Sequence, residues 1–347
     1  MADEQPAERT GRQLLLVAGQ GRSGTSLFTG ILHQLGLHVP QPEVVADRTN
    51  PRGFSEPQWV VDFHQRLLQR NGVHPSDARP SSWATTGQVA TRGGVRAELR
   101  TWLEEQLADN PRLVVKDPRT AWFLGLWREA ARDLDLPLAI VTMLRDPAEV
   151  VLSKQTAYGG RLDTTARMAG WVNGMLFGER ATRDLPRAFV RYQSLLEDWT
   201  NETSRADSQL DMRLVQAATV GQIRAAGKLV DPDLRRSVSS IDDLGLPDQL
   251  RQLALDTWKQ LSALADDPAV DAGDARVAAL DDLRDQYVRY YEQCEAVARS
   301  SVLAAESSAR RAGPGAGPPR PRPTSTGTPA PRRGRLGSLR LRRRARQ

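Results

Sequence analysis

The chain has 347 residues, 48 Lys plus Arg against 42 Asp plus Glu, 39% hydrophobic residues and a single cysteine, Cys294. That is enough chain for one large α/β domain with a real core. No apolar run reaches the ~20 residues of a membrane helix, and one cysteine builds neither a disulfide scaffold nor a cysteine metal cluster. The net charge of +6 is unevenly placed: twelve arginines and no acid fall between Arg310 and Gln347, so the rest of the chain carries −6. A nucleic-acid reading of the high pI therefore rests on the tail alone.

In chain order, residues 1–12 are polar, without a basic or apolar leader pattern, and are expected to be a flexible N-terminus of a cytoplasmic protein. Gln13–Ala18 is a short continuous apolar run, the pattern of a strand covered on both faces. Thr25–Leu35 follows with Leu27, Phe28, Ile31, Leu32 and Leu35 at helical spacing. Further strands are expected at Leu113–Val115, Leu138–Met143 and Ala188–Val190. Helical patterns lie at Gly94–Leu107, Ala121–Leu134, Ala148–Thr156 and Thr165–Arg183. This alternation predicts a mostly parallel sheet between helices, a three-layer α/β fold of the P-loop-like kind, over residues 13–308. Leu246–Ala305 reads as helices alone. From 309 the sequence turns Pro/Gly-rich and then Arg-rich, which predicts a disordered linker and basic tail. Two readings of that tail stay open: a solvated end, or an electrostatic tether to acidic lipid, nucleic acid or a protein partner, peripheral to the membrane in the lipid case.

The first strand runs into Gly19-Gln-Gly-Arg-Ser-Gly-Thr-Ser26 and then a helix. Glycines allow a tight turn that aims N–H groups at an anion, and the helix N-terminus adds a favourable dipole. The spacing of Gly19, Gly21 and Gly24 fits a dinucleotide fingerprint, but the next segment lacks a second strand. The Walker pattern fails because Thr25 stands where its lysine belongs.

Gly21-Arg-Ser-Gly-Thr-Ser26 resembles the 5′-phosphosulfate loop of sulfotransferases that use 3′-phosphoadenosine-5′-phosphosulfate, with Gly21 in place of the usual proline. The likeness is to their bacterial carbohydrate and tyrosylprotein branch. Three further segments follow in order. Leu113-Val-Val-Lys116-Asp-Pro resembles the segment whose lysine approaches the transferring group. Leu144-Arg145-Asp-Pro through Ser153 resembles the 3′-phosphate motif, an Arg followed eight residues later by Ser. Asp146 is a plausible N-cap there, with Pro147 at the first helical position. Arg191-Tyr192-Gln-Ser-Leu resembles a segment whose tyrosine lies near the donor.

The resemblance implies that Gly21, Arg22, Ser23, Gly24, Thr25, Ser26, Arg145, Ser153 and Tyr192 bind the donor. It also implies that Arg22 and Lys116 stabilise charge during transfer. Asn50-Pro-Arg-Gly-Phe-Ser-Glu56 is similar to a segment that supplies the general base, which makes Glu56 the candidate and His64 the alternative. His33 reads as packing or surface, and Asp117 and Arg119 as either a turn salt bridge or ligands. Trp59, Trp83, Trp122, Trp127 and Trp171 read as core residues or as stacking surfaces for an acceptor.

The function implied is sulfuryl transfer to a hydroxyl of a carbohydrate, glycolipid or other small molecule, with no metal. Two alternatives remain: a P-loop nucleotide-dependent phosphotransferase, and a non-catalytic binding protein of the same fold.

Overall fold

A computed structural model of the chain describes residues 11–160, 162–231, 240–266 and 274–312. Its elements in order are β1 (Gln13–Gly19), α1 (Thr25–Gln34), α2 (Gln58–Arg70), α3 (Ser81–Gly87), α4 (Gly93–Asp109), β2 (Arg112–Lys116), α5 (Leu124–Asp133), β3 (Leu138–Leu144) and α6 (Pro147–Tyr158). There follow α7 (Thr164–Ala181), β4 (Arg187–Arg191), α8 (Tyr192–Glu197), α9 (Trp199–Gln209), α10 (Leu214–Ala217), α11 (Val220–Gly227), α12 (Asp248–Asp266) and α13 (Asp274–Ala312). The four expected strands are present. The helix expected from Ala121 starts as a 3₁₀ turn, Thr120–Phe123, before α5. Residues 1–10 and the linker and tail from 313 lie outside the described residues. Helix α13 runs through 309–312, where the tail was expected to begin.

The strands form one parallel sheet in the order β2-β1-β3-β4. Parallel strands need crossovers, and helices supply them on both faces, so the strands must be apolar on both sides. The register makes this explicit. Leu14, Leu16, Leu113, Val115 and Ile140 face a core shared with α2, α4 and α5. Leu15, Val17, Val114, Val141, Met143 and Val190 face the opposite core, with α1, α9 and α11. The period of two thus sorts one apolar run into two layers. A third cluster joins Leu144 and Phe189 to α6, α7, α12 and the first part of α13 through Leu280, Leu283, Tyr287 and Tyr290. The helical reading of the C-terminal region holds. The chain divides into a unit ending at Ala296 and a second from Val297, whose described part is the end of α13.

This strand order places a topological switch between β1 and β3, where the first crossover leaves to one side and the third strand returns on the other. Ligands in open α/β sheets bind outside the carboxyl ends of the strands at such a point. Four of the five motifs singled out above lie at strand ends: the glycine loop after β1, Lys116 closing β2, Arg145 just after β3 and Tyr192 just after β4; the fifth, Asn50–Glu56, lies between α1 and α2.

Candidate functional site

A cavity of about 410 Å³ opens at these strand ends, a size typical of small-molecule sites. Of the residues proposed from the sequence, Gly21, Arg22, Gly24, Thr25, Ser26, Glu56, Lys116, Arg145, Ser153 and Tyr192 all line it. Ser23 does not. It is buried under the turn, and its N–H donates to the Gln20 carbonyl at 3.1 Å, so it does not offer that N–H to an anion. His64, the alternative base, is also outside the cavity.

The loop is shaped by backbone conformations that most residues avoid. Gly19 has φ +130°, and a Cβ there would come within 2.8 Å of the Met143 carbonyl. Gly24, the residue before α1, has φ +88°, and a Cβ would lie 2.2 Å from the Tyr192 ring. Glycine is therefore required at 24 both for the turn and for the close approach of β4's successor. The first intrahelical bond of α1 runs from Phe28 N–H to the Gly24 carbonyl. The N–H groups of Gly24, Thr25, Ser26 and Leu27 are thus the four that the helix leaves to other partners.

Arg22 adopts φ +76° although it is not glycine. The left-handed region costs such a residue about 1–2 kcal/mol, and here it turns the side chain along the cavity wall. Its Nε donates to Ser153 Oγ (3.1 Å) and its Nη1 to the Thr49 carbonyl (3.3 Å). Arg22→Gly removes the strain and the guanidinium together, whereas Arg22→Ala removes only the guanidinium. Denaturant titration is expected to find the glycine variant more stable than the alanine variant by about 1 kcal/mol. Both should show the same loss of anion binding.

Arg145 is fixed on three sides. Its Nε donates to Glu149 Oε2 (2.9 Å), its Nη1 to the Arg22 carbonyl (3.0 Å), and its guanidinium lies 4.6 Å above the Tyr192 ring centre. Nη2 has no protein partner among the described residues, and the residue lines the cavity. The expected helix start is observed: Asp146 Oδ1 accepts from Ala148 and Glu149 N–H, with Pro147 first in the helix. This cap orients α6 so that Ser153, two turns on, meets Arg22.

The other wall is an Ω-like loop whose ends meet where Val44 N–H donates to the Glu56 carbonyl and Gln58 N–H to the Pro42 carbonyl, both at 2.8 Å. It brings Thr49, Asn50, Phe54 and Glu56 to the site. Lys116 Nζ donates to Glu56 Oε1, to Ser26 Oγ (3.2 Å) and to the Phe54 carbonyl (3.1 Å). Asn50 Nδ2 reaches the same Ser26 Oγ at 3.4 Å. Carboxylate, ammonium and loop hydroxyl thus form one network. Glu56 is 7% exposed and Lys116 2%. Burial pushes the Glu56 carboxyl above its ordinary value, and the opposing pull of Lys116 only partly offsets this.

Asp117, next in sequence, belongs to a different system. Its carboxylate accepts from His64 Nδ1–H (2.7 Å) and from Arg119 (2.8 Å). His64 Nε2 accepts the Trp127 indole N–H at 3.0 Å. Burial alone would raise the Asp117 carboxyl, but these hydrogen bonds and charges hold it low. Both ring nitrogens of His64 are committed and the ring is fully buried, so His64 is a structural member of the core. Asp117 and Arg119 form the turn salt bridge rather than ligands. His64→Asn is expected to lower stability by about 1–3 kcal/mol for each buried group left unpaired, while the activity per folded molecule is unchanged; chemical denaturation alongside an active-site titration separates the two.

The tryptophans are core residues as well. Trp59 stacks between Phe63 and Trp102, Trp83 against Trp122 and Phe177, and Trp127 and Trp171 are fully buried. None lines this cavity, so of their two readings core packing is the one observed here. His33, read as packing or surface, lines its far end, with Nδ1 2.9 Å from the Leu37 carbonyl.

Several site residues escape the sequence motifs. Glu149 had an available signal, its i+4 spacing from Arg145. Thr49 and Tyr158 had none, since the Ω-like loop and the end of α6 reach the cavity only through tertiary folding. No helix among the described residues is long and apolar enough to cross a membrane, and no cluster of three metal-ligating side chains occurs among them.

No family model matches the chain, and no curated protein matches it. Among solved structures, it is similar to the sulfotransferase domain of the Synechococcus PCC 7002 olefin synthase, with 16% identity and a TM-score of 0.42 over 75% of this chain and 98% of that one. It is also similar to the sulfotransferase domain from the curacin biosynthetic pathway, with 14% identity and a TM-score of 0.40 over 72% and 98%. Neither likeness is close enough to assign a family.

Proposed function

We propose that this chain moves a sulfuryl group from 3′-phosphoadenosine-5′-phosphosulfate to an acceptor hydroxyl of a carbohydrate, glycolipid or other small molecule. One observation supports the reading: residues from the ends of all four strands line one cavity together with a buried Lys116–Glu56 pair, and we read two anion sites in it. The first anion site is the start of α1 with Arg22. The second is Arg145, which lines the cavity with Ser153 and Tyr192 and whose Nη2 has no hydrogen-bond partner among the described residues. Two anion sites on either side of a switch point suit a nucleotide phosphorylated at both 3′ and 5′ positions.

In this reading the N–H groups of Gly24–Leu27 hold the 5′-phosphate, and Arg145 with Ser153 holds the 3′-phosphate. Glu56 takes the proton from the acceptor hydroxyl, and its raised basicity suits that task. The acceptor oxygen forms its bond to sulfur as the sulfur–oxygen bond to the 5′-phosphate breaks, and adenosine 3′,5′-bisphosphate leaves. Lys116 and Arg22 counter the charge that builds on the departing oxygen, so most of the catalysis is positioning and electrostatics. Lys116 already spans Glu56 and Ser26, which links proton removal to the phosphate loop.

Labelled donor, incubated with the protein and a panel of hydroxyl acceptors, tests turnover. Transfer of label with stoichiometric adenosine 3′,5′-bisphosphate supports an enzyme. Tight binding without transfer to any member would make it a binding protein of this fold.

A further inference from the structure

Lys154 sits one residue beyond Ser153 and plays no part in the scheme above. Its side chain is 4% exposed, and its Nζ donates to Gln20 Oε1 at 2.7 Å and to Ser76 Oγ at 3.2 Å. No carboxylate pairs with it among the described residues. A buried ammonium with only neutral partners is costly, so the surroundings that hold it there call for explanation.

Those surroundings are built for it. Two glycines one turn apart on α7 make room for its two partners. A Cβ on Gly174 would fall 1.9 Å from Gln20 Nε2, and one on Gly170 would fall 2.5 Å from the Ser76 carbonyl. Asn173 between them donates to the Asp77 and Arg79 carbonyls (2.8 and 3.2 Å), which pins the Ser76 segment to α7. Gln20 is the second residue of the phosphate loop, and a Cβ on Gly21 would lie 4.0 Å from Lys154 Cε. The ammonium is thus lodged directly behind the loop.

We propose that Lys154 is a positioning residue that backs the phosphate loop with a buried charge, taking up a proton when an anion is held by the N–H groups of Gly24–Leu27. This rests on reading that loop as an anion site. Without an anion, burial and the Arg167 guanidinium of α7 lower the Lys154 ammonium to about 7. A bound phosphate on the other side of Gly21 favours the charged form, so binding must draw in a proton wherever the free protein has lost it. The charged and titratable groups around it are Arg167 from α7, His74 and Asp77 from the segment before α3, and Arg22 on the neighbouring Ser153. Among them His74 is the other base whose charged form is disfavoured, because burial lowers it, aided by Lys154 and Arg167 against the pull of Asp77. It is the necessary control.

The test is calorimetric titration of the full chain with adenosine 3′,5′-bisphosphate at pH 8, in buffers of different ionisation enthalpy. The ligand's phosphates are already ionised there, so any proton uptake belongs to the protein. Uptake should approach about one proton per ligand and affinity should fall roughly 10-fold per pH unit between 8 and 9. Lys154→Met should abolish the uptake and flatten the pH dependence, and His74→Gln should leave both in place. Binding by the wild type without proton uptake overturns the proposal and leaves the anion site standing. So does uptake that survives in Lys154→Met or vanishes in His74→Gln. The wild-type measurement decides even if the Met variant does not fold. No binding of the bisphosphate at all overturns the anion site, and this inference with it.

Discussion

Glu56→Gln is expected to cut turnover by roughly 10²–10⁴-fold, the usual worth of a positioned general base, while the affinity for adenosine 3′,5′-bisphosphate holds or rises. The amide keeps the shape of the side chain and an oxygen for Lys116, but no longer accepts a proton. The proposed donor contacts lie elsewhere, on the loop and on Arg145, and loss of the Glu56–Lys116 ion pair would free Lys116 for them. The pH profile supplies the sign. Burial raises the Glu56 carboxyl, so its basic form gives way to the acid at a higher pH than that of an ordinary glutamate. Wild-type kcat/KM should therefore climb with pH through that raised value, and Glu56→Gln should lose this acid limb. The same shift means that Glu56 favours the folded state below its unfolded pKa and loses that contribution as pH rises through the folded value. An acid limb that persists in the variant would remove Glu56 from the role of base.

Arg145→Ala is expected to weaken adenosine 3′,5′-bisphosphate binding by roughly 10²-fold and barely change 5′-AMP binding. Charge-assisted hydrogen bonds to phosphate contribute about 1.5–3 kcal/mol each, and Arg145 is already held for the task by Glu149, the Arg22 carbonyl and the Tyr192 ring. Pre-orientation of this kind spares the entropy of fixing a long side chain on binding. Competition titration of the two nucleotides against the variant reads the difference. Equal losses for both would show that Arg145 supports the loop and does not recognise a second phosphate.

The sheet was legible because a parallel strand buried on both faces is written as an unbroken apolar run. Gln13–Ala18, Leu113–Val115, Leu138–Met143 and Ala188–Val190 each carry that pattern, and each observed strand contains one of them. The loop, Lys116 and Arg145 lie where these runs end, and it is the resemblance to sulfotransferase motifs at those points that marks them as site residues. What escaped has a different physical origin. Ser23 belongs to the motif, yet its N–H closes the turn back to Gln20, a consequence of backbone geometry and not of residue type. His64 looks like a base in sequence, but only the fold brings Asp117 and Trp127 to its two nitrogens. Lys154 carries no signal in the sequence, since the glycines that admit its partners lie 16 and 20 residues away on another helix. Long-range packing decides such cases, and no local pattern encodes it.

The proposed site recognises an adenosine phosphorylated at both ends. Its most direct test is the affinity of the full chain for adenosine 3′,5′-bisphosphate set against ATP–Mg²⁺ in the same buffer. The bisphosphate is expected to bind at least 10-fold more tightly, roughly the worth of one charge-assisted phosphate contact, and without any need for the metal. Preference for ATP–Mg²⁺ would contradict the account and make the chain a nucleotide-dependent phosphotransferase instead.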